Sequence, residues 1–137
     1  MKEVIVDTGP LVALMDDTDE YYGWAVGELR RLHQPLRTCD AVLSETSFLL
    51  AAYPKALRQL RLFLERELIV SDFASRGQAG RLFGLMERYG NVPMSFTDAC
   101  LVCLVENHPG ATLFTLDHDF TIYRQQRRRV IPLIAPF

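Results

Sequence analysis

The sequence predicts an α/β fold in which a mostly parallel sheet of about five strands is covered by helices on both faces, giving three layers. Three observations carry this. Short apolar runs that read as strands alternate with longer stretches at helical spacing. Parallel neighbours need such crossover connections, and a sheet connected this way is buried on both sides. No internal repeat, linker or low-complexity segment interrupts the alternation, so residues 1–137 are expected to form a single domain.

Residues 3 to 6, EVIV, read as a short buried strand ended by Asp7 and a Thr-Gly-Pro turn, with LVALM helical behind it. Residues 19 to 33 place Tyr22, Ala25, Val26, Leu29 and Leu32 at helical spacing, and Pro35 lies just beyond. LRTC, 36 to 39, is a second strand. Asp40 can cap the helix AVLSETSFLLAAY, which stops before Pro54, and an amphipathic helix runs from about 55 to 66. LIVSD, 68 to 72, is a third strand. RLFGLMERYG is a helix that Gly90 should close, and another helix runs from 96 to 107 before His108 and Pro109. ATLFTL, 111 to 116, is a fourth strand, DHDFTIYRQQ a short helix or loop, and VIPLI, 130 to 134, a fifth strand.

Bulk composition narrows the class of protein. The chain has 137 residues, 49% hydrophobic and 23% charged, with mean hydropathy near zero and no apolar run approaching the ~20 residues of a membrane span. The N-terminus MKEVIVD places acids where a signal peptide needs its apolar core, so a cytoplasmic protein with no membrane contact is expected. Cys39, Cys100 and Cys103 are odd in number and sit in apolar patterns, and His33, His108 and His118 are scattered. Core packing is therefore expected of the cysteines rather than zinc or a disulfide. A net charge of −2 disfavours a non-specific nucleic-acid coat, although Arg-rich stretches at 58 to 66 and 124 to 129 leave room for local contacts.

Most charges fall on polar faces; a few carboxylates do not. Asp7 ends a buried strand at the C-terminal edge, the side of an open parallel sheet where ligand crevices form. Glu45 has Ala41, Val42, Phe48 and Leu49 as its helical neighbours, which places it on a core-facing stripe, where a lone charge is costly. Asp98 lies three residues after Ser95 at a helix start, an arrangement a capping box would also explain. Asp117 follows the fourth strand, with Asp119 two residues on. Asp7 and Asp117 thus end strands at one sheet edge, while Glu45 and Asp98 lie in early turns of helices that begin there. Four carboxylates meeting in one crevice would repel one another unless cations were present, and hard oxygen ligands select Mg²⁺ or Mn²⁺.

In these motifs the sequence resembles the PIN-domain family, and within it the small VapC-type ribonuclease toxins of type II toxin-antitoxin systems. IVDTGPLVALMD is similar to the family's opening strand with its first acid at Asp7, VLSETSFLL to the segment carrying the second at Glu45, SFTDACLVCL to the third at Asp98, and ATLFTLDHDF to the fourth at Asp117 with Asp119 as accessory. The resemblance spans nearly the whole chain. It implies a PIN-like α/β/α fold and a Mg²⁺- or Mn²⁺-dependent endoribonuclease that leaves 5′-phosphate and 3′-hydroxyl ends. It also implies a homodimer and a small antitoxin protein lying across a groove near the site. The family's polar helper has Thr8, Ser95 and Thr97 as its counterparts here. Gly9 stands where Ser or Asn is frequent, and Tyr22 where many toxins carry His.

The chemistry expected is hydrolysis by water activated at one or two cations held by Asp7, Glu45, Asp98 and Asp117, with Asp119 as a further ligand. RNA reaching so acidic a site needs positive charge nearby, for which Arg124, Arg127 and Arg128 are the first candidates. Arg129 and the helix bearing Lys55, Arg58, Arg61 and Arg66 come next. Three other readings compete. Asp-Thr-Gly alone suggests an aspartic protease, but that chemistry needs paired halves of an all-β scaffold. A haloacid-dehalogenase phosphatase needs a second Asp where Gly9 stands. A PIN fold used as an RNA-binding or scaffolding module with little nuclease activity is the remaining alternative.

Overall fold

The computed structural model describes residues 2–33 and 35–137. Three successive β-branched residues form β1 (Val4–Val6), buried throughout. Asp7 then turns the chain directly into α1 (Thr8–Met15), its carboxylate accepting the Thr8 N–H at 2.7 Å. The expected Thr-Gly-Pro turn is thus the first turn of the helix. Pro10 is tolerated there because an N–H in the first turn has no intrahelical partner. Gly9 is closely packed: a Cβ there would stand 3.1 Å from Leu116 Cδ1, so the Leu116 side chain would have to give way to admit one.

The second helix is shorter than its apolar spacing predicts: α2 spans Tyr22–Leu29, and Asp19 accepts the Tyr21 N–H just before it. β2 (Leu36–Thr38) leads into α3 (Asp40–Leu49), capped by Cys39, so that Asp40 is the first helical residue and its carboxylate takes the Ser71 hydroxyl instead. α3 ends four residues before Tyr53, because Pro54 forces Tyr53 out of the helical region and itself opens α4 (Pro54–Glu65). β3 (Ile69–Ser71), α5 (Ala79–Arg88) and α6 (Phe96–Asn107) follow. The glycines in the left-handed region are Gly77 and Gly110, whereas α5 ends on Tyr89 at φ −105° without needing Gly90 there.

β4 (Thr112–Phe114) precedes a 3₁₀ turn at His118–Thr121. The expected fifth strand is divided between two sheets. Val130 belongs to a small antiparallel hairpin of β5 (Arg124–Gln125) and β6 (Arg129–Val130), while β7 (Leu133–Ile134) joins the main sheet. Pro132 separates them, and its carbonyl accepts the Leu113 N–H at 2.8 Å.

Every pairing in the five-stranded sheet is parallel, in the order β3-β2-β1-β4-β7. β1 is central, so its end is where helices and loops from both directions meet. α6 is the most deeply buried helix: residues 99 to 105, ACLVCLV, are buried without interruption. A helix apolar on all sides belongs inside a core. Cys39, Cys100 and Cys103 are all buried and free, and burial raises each thiol's pKa, Cys100 to about 12.

Candidate active site

β1 and β4 run side by side, Val6 opposite Phe114, so Asp7 and the 115 to 117 segment leave the sheet together. The Thr115 hydroxyl donates to Asp7 Oδ2 at 2.8 Å and accepts the Asp117 N–H at 3.0 Å. One fully buried threonine therefore fixes two acids. Asp117 in turn caps the 3₁₀ turn by accepting the Asp119 N–H at 2.9 Å.

Asp98 is set by the start of α6. Ser95 Oγ accepts the Asp98 N–H, and Asp98 Oδ2 accepts the Ser95 N–H, a reciprocal capping box. The same Oδ2 accepts the hydroxyl of Tyr123 at 3.0 Å. Tyr123 is itself wholly buried, edge-on to Tyr89 and Phe120. Glu45 comes from α3, where the Thr8 hydroxyl donates to its Oε2 at 3.2 Å.

Asp7, Glu45, Asp98 and Asp117 line one cavity of about 410 Å³, together with Thr8, Ser95 and Thr97. Asp119 is half-buried and outside that lining. The reason given for Glu45 needs correction: it is exposed, as are Phe48 at 79% and Leu49 at 48% on the turn that follows, while Val42 on the turn before is buried. The core-facing stripe thus ends before Glu45, which stands at the cavity's edge.

Asp7 carries the electrostatic load. It is 8% exposed, and its pKa is raised to about 6, chiefly by burial. The bonds from Thr115 and Thr8 oppose the rise, while the charges of Asp98 and Asp117 add to it. Asp98 is also raised, again first by burial, with Asp117 contributing. Among the described residues no three His, Cys, Asp or Glu side chains already stand together as a finished metal cage. The donor set is nevertheless all carboxylate oxygen, and in it Asp7 and Asp98 are raised above their ordinary pKa, first by burial and then by the neighbouring charges. A hard dication suits such a site.

The arginines divide. Arg124 turns inward on the backbone, its guanidinium donating to the carbonyls of Thr121, Ile122 and Tyr123 at 2.7 to 3.1 Å. Arg127 and Arg128 occupy the exposed tip of the β5–β6 hairpin, and Arg127 lies against the C-terminal half of α6, away from the acids at its start. Sequence reading missed Thr115 and Tyr123. Thr115 had a usable signal in its place two residues before Asp117; Tyr123 had none.

The sequence profile of the PIN domain matches residues 4–125. The chain belongs to the PIN-domain family. VapC20 of Mycobacterium tuberculosis, a toxin that cleaves the sarcin-ricin loop, superposes with a TM-score of 0.76 at 21% identity, covering 93% of this chain and 99% of that one. VapBC2 of Rickettsia felis, solved on a DNA fragment from its promoter, gives a TM-score of 0.61 at 17% identity over 96% and 97% of the two chains. At these identities the likeness is one of fold. No curated protein matches the sequence. As a PIN domain, the chain places its acids at the carboxyl edge of the sheet.

The raised pKa of Asp7 makes a stability prediction with a definite sign. The unfolded chain loses this proton near pH 4 and the folded chain near 6, so Asp7 costs folding stability progressively across that interval and at all higher pH. The cost is at most about 3 kcal/mol at neutral pH, from ~1.4 kcal/mol per pKa unit. Asp7→Asn should melt higher than wild type at pH 7.5 and lose much of the gap at pH 4, measured by thermal denaturation without added cations. Equal melting temperatures at both pH values would show that Asp7 is not held this way.

Proposed function

We propose that this PIN domain is a Mg²⁺- or Mn²⁺-dependent endoribonuclease, acting in the cytoplasm as the toxin of a toxin-antitoxin pair. The observation that carries the reading is the meeting of Asp7, Glu45, Asp98 and Asp117 around one cavity, three of them held by hydrogen bonds from Thr115, Thr8, the Ser95 N–H and Tyr123. Asp7, Asp98 and Asp117 would hold the cation, with Glu45 at the edge and Asp119 oriented through Asp117. When bound, the cation supplies an acidified water and neutralises charge developing on the phosphodiester.

The chain's own part is positional. Thr115 keeps Asp7 and Asp117 in fixed relation, while Tyr123 and the capping box prevent Asp98 from turning away. A group fixed before substrate arrives adds no reorganisation cost at the reacting centre. The complete acid set favours this reading over a scaffolding PIN fold with little nuclease activity. Among the described residues, no helix is long and apolar enough to cross a membrane. The sarcin-ricin-loop toxin of like fold supports RNA as the substrate class, and the toxin-antitoxin neighbour supports a small antitoxin partner.

Wild type should cut RNA with Mg²⁺ or Mn²⁺ and stop in EDTA, and Asp7→Asn and Asp98→Asn should each lower kcat at least 100-fold. Cleavage in EDTA, or full activity in both variants, would overturn the assignment. Expression alone should arrest growth, relieved by co-expressing a small neighbouring reading frame; harmless expression of an active enzyme would remove the toxin role.

The adjacent Phe48 and Leu49 on α3, 79% and 48% exposed, support a homodimer that covers these side chains. Phe48→Asp should convert a dimer to a monomer in light scattering. A monomeric wild type at assay concentrations would end that part of the proposal.

A further inference from the structure

A second cavity, of about 630 Å³, lies between α5, the C-terminal half of α6 and the β5–β6 hairpin tip. Arg81, Arg88 and Arg127 line it. Arg81 is fully engaged, donating to Glu106 at 2.9 Å, the Cys103 carbonyl, Asn107 and Gln78. The side chains of Arg88 and Arg127 form no hydrogen bond or ion pair among the described residues. The carboxylates of this lining are Glu106, already committed to Arg81, and the exposed Glu87. Two unpaired guanidinium groups thus face one free carboxylate.

The loop that presents Arg127 is held in place. Gln126 and Arg127 both adopt positive φ, 47° and 69°, a conformation that non-glycine residues adopt only at a cost. Glu106 stabilises it: its side chain is 11% exposed, one oxygen takes Arg81, and the other accepts the Gln126 N–H at 2.6 Å. Opposite, Gly80 and Gly84 lie one turn apart on α5, and a Cβ on either would meet nothing within 4 Å. The floor is therefore open backbone between two unpaired cations, a shape suited to a phosphate-bearing chain.

We infer that this cavity binds backbone phosphates of the RNA substrate through Arg88 and Arg127, at a distance from the acids. The inference rests on the ribonuclease reading and specifies its substrate class. Asp98 and Glu106 are eight residues apart on α6, which places the two sites about 12 Å apart along the helix. RNA held at both is a folded molecule or a strand several nucleotides long, and its shape rather than its sequence is read at the arginines.

The test is binding of a labelled RNA hairpin with single-stranded flanks, in EDTA, followed by anisotropy across a KCl series. Each phosphate contact contributes about 0.7 to 0.9 to the slope of log K against log salt, so Arg88→Ala/Arg127→Ala should lower the slope by about 1.5. Arg88→Lys/Arg127→Lys, which keeps both charges, should retain it. An unchanged slope in the alanine variant overturns the inference. So does a loss of affinity confined to inorganic phosphate or a poly-glutamate peptide, with RNA unaffected. If wild type cuts no RNA under any cation while the slope still falls, the nuclease reading fails and this site stands. If wild type cuts RNA and the slope is unchanged, this site alone fails.

Discussion

The hydroxyl of Thr115 joins the two halves of the acidic cavity. It donates to Asp7 and accepts from the backbone of Asp117, so the end of β1 and the exit from β4 are locked to one another inside the protein. Without it, Asp7 would have one buried carboxylate oxygen facing other negative charges with no donor. The parallel register of β1 with β4 makes this bond available, because Val6 opposite Phe114 brings residues 7 and 115 level. The position of α6 follows as well: its capping box sets Asp98 beside the pair, and seven consecutive buried residues keep the helix from shifting.

Burial at Asp7 is unfavourable for folding, and in the proposed reading it would favour a bound cation. An anion almost removed from water, with two like charges near, has its proton affinity raised, and the same field attracts a divalent ion. The sheet and α6 supply the apolar burial that offsets the cost. Local strain tolerated at a functional position and compensated by surrounding structure is a general feature of working sites. Here the backbone strain lies in the positive-φ pair Gln126 and Arg127, which Glu106 holds, while at Asp7 the cost is one of burial.

Much of this was legible in the sequence because the relevant signals are local. EVIV, the Ser95 to Asp98 capping box and the apolar run of α6 each specify their own conformation, and alternation of strands and helices specifies a parallel sheet. The acids at 7, 98 and 117 could be placed at one edge from those elements alone. Glu45 does line the same cavity as the other acids, but not for the reason its spacing offered. Helical spacing says which residues share a face, but not whether that face meets the core, and the stripe through Phe48 is exposed. The split of VIPLI was equally hidden: Val130 pairs with Arg124 across a loop, and only the three-dimensional course of the hairpin sends residues on either side of Pro132 to different sheets.

Tyr123 shows where sequence reasoning stops. Its hydroxyl reaches Asp98 across 25 residues, from a segment with no periodic signal, because the 3₁₀ turn after Asp117 directs the chain back under α6. Arg124, the next residue, ties its guanidinium to the carbonyls of that turn, so a cation that composition offered to RNA is used to fix the backbone that holds Tyr123. The same short stretch, DHDFTIYR, therefore carries an acid, the turn that orients it and the phenol that restrains a second acid. Past this stretch, Arg127 and Arg128 stand exposed at the hairpin tip, and in the proposed reading positive charge for the substrate would come from there rather than from Arg124.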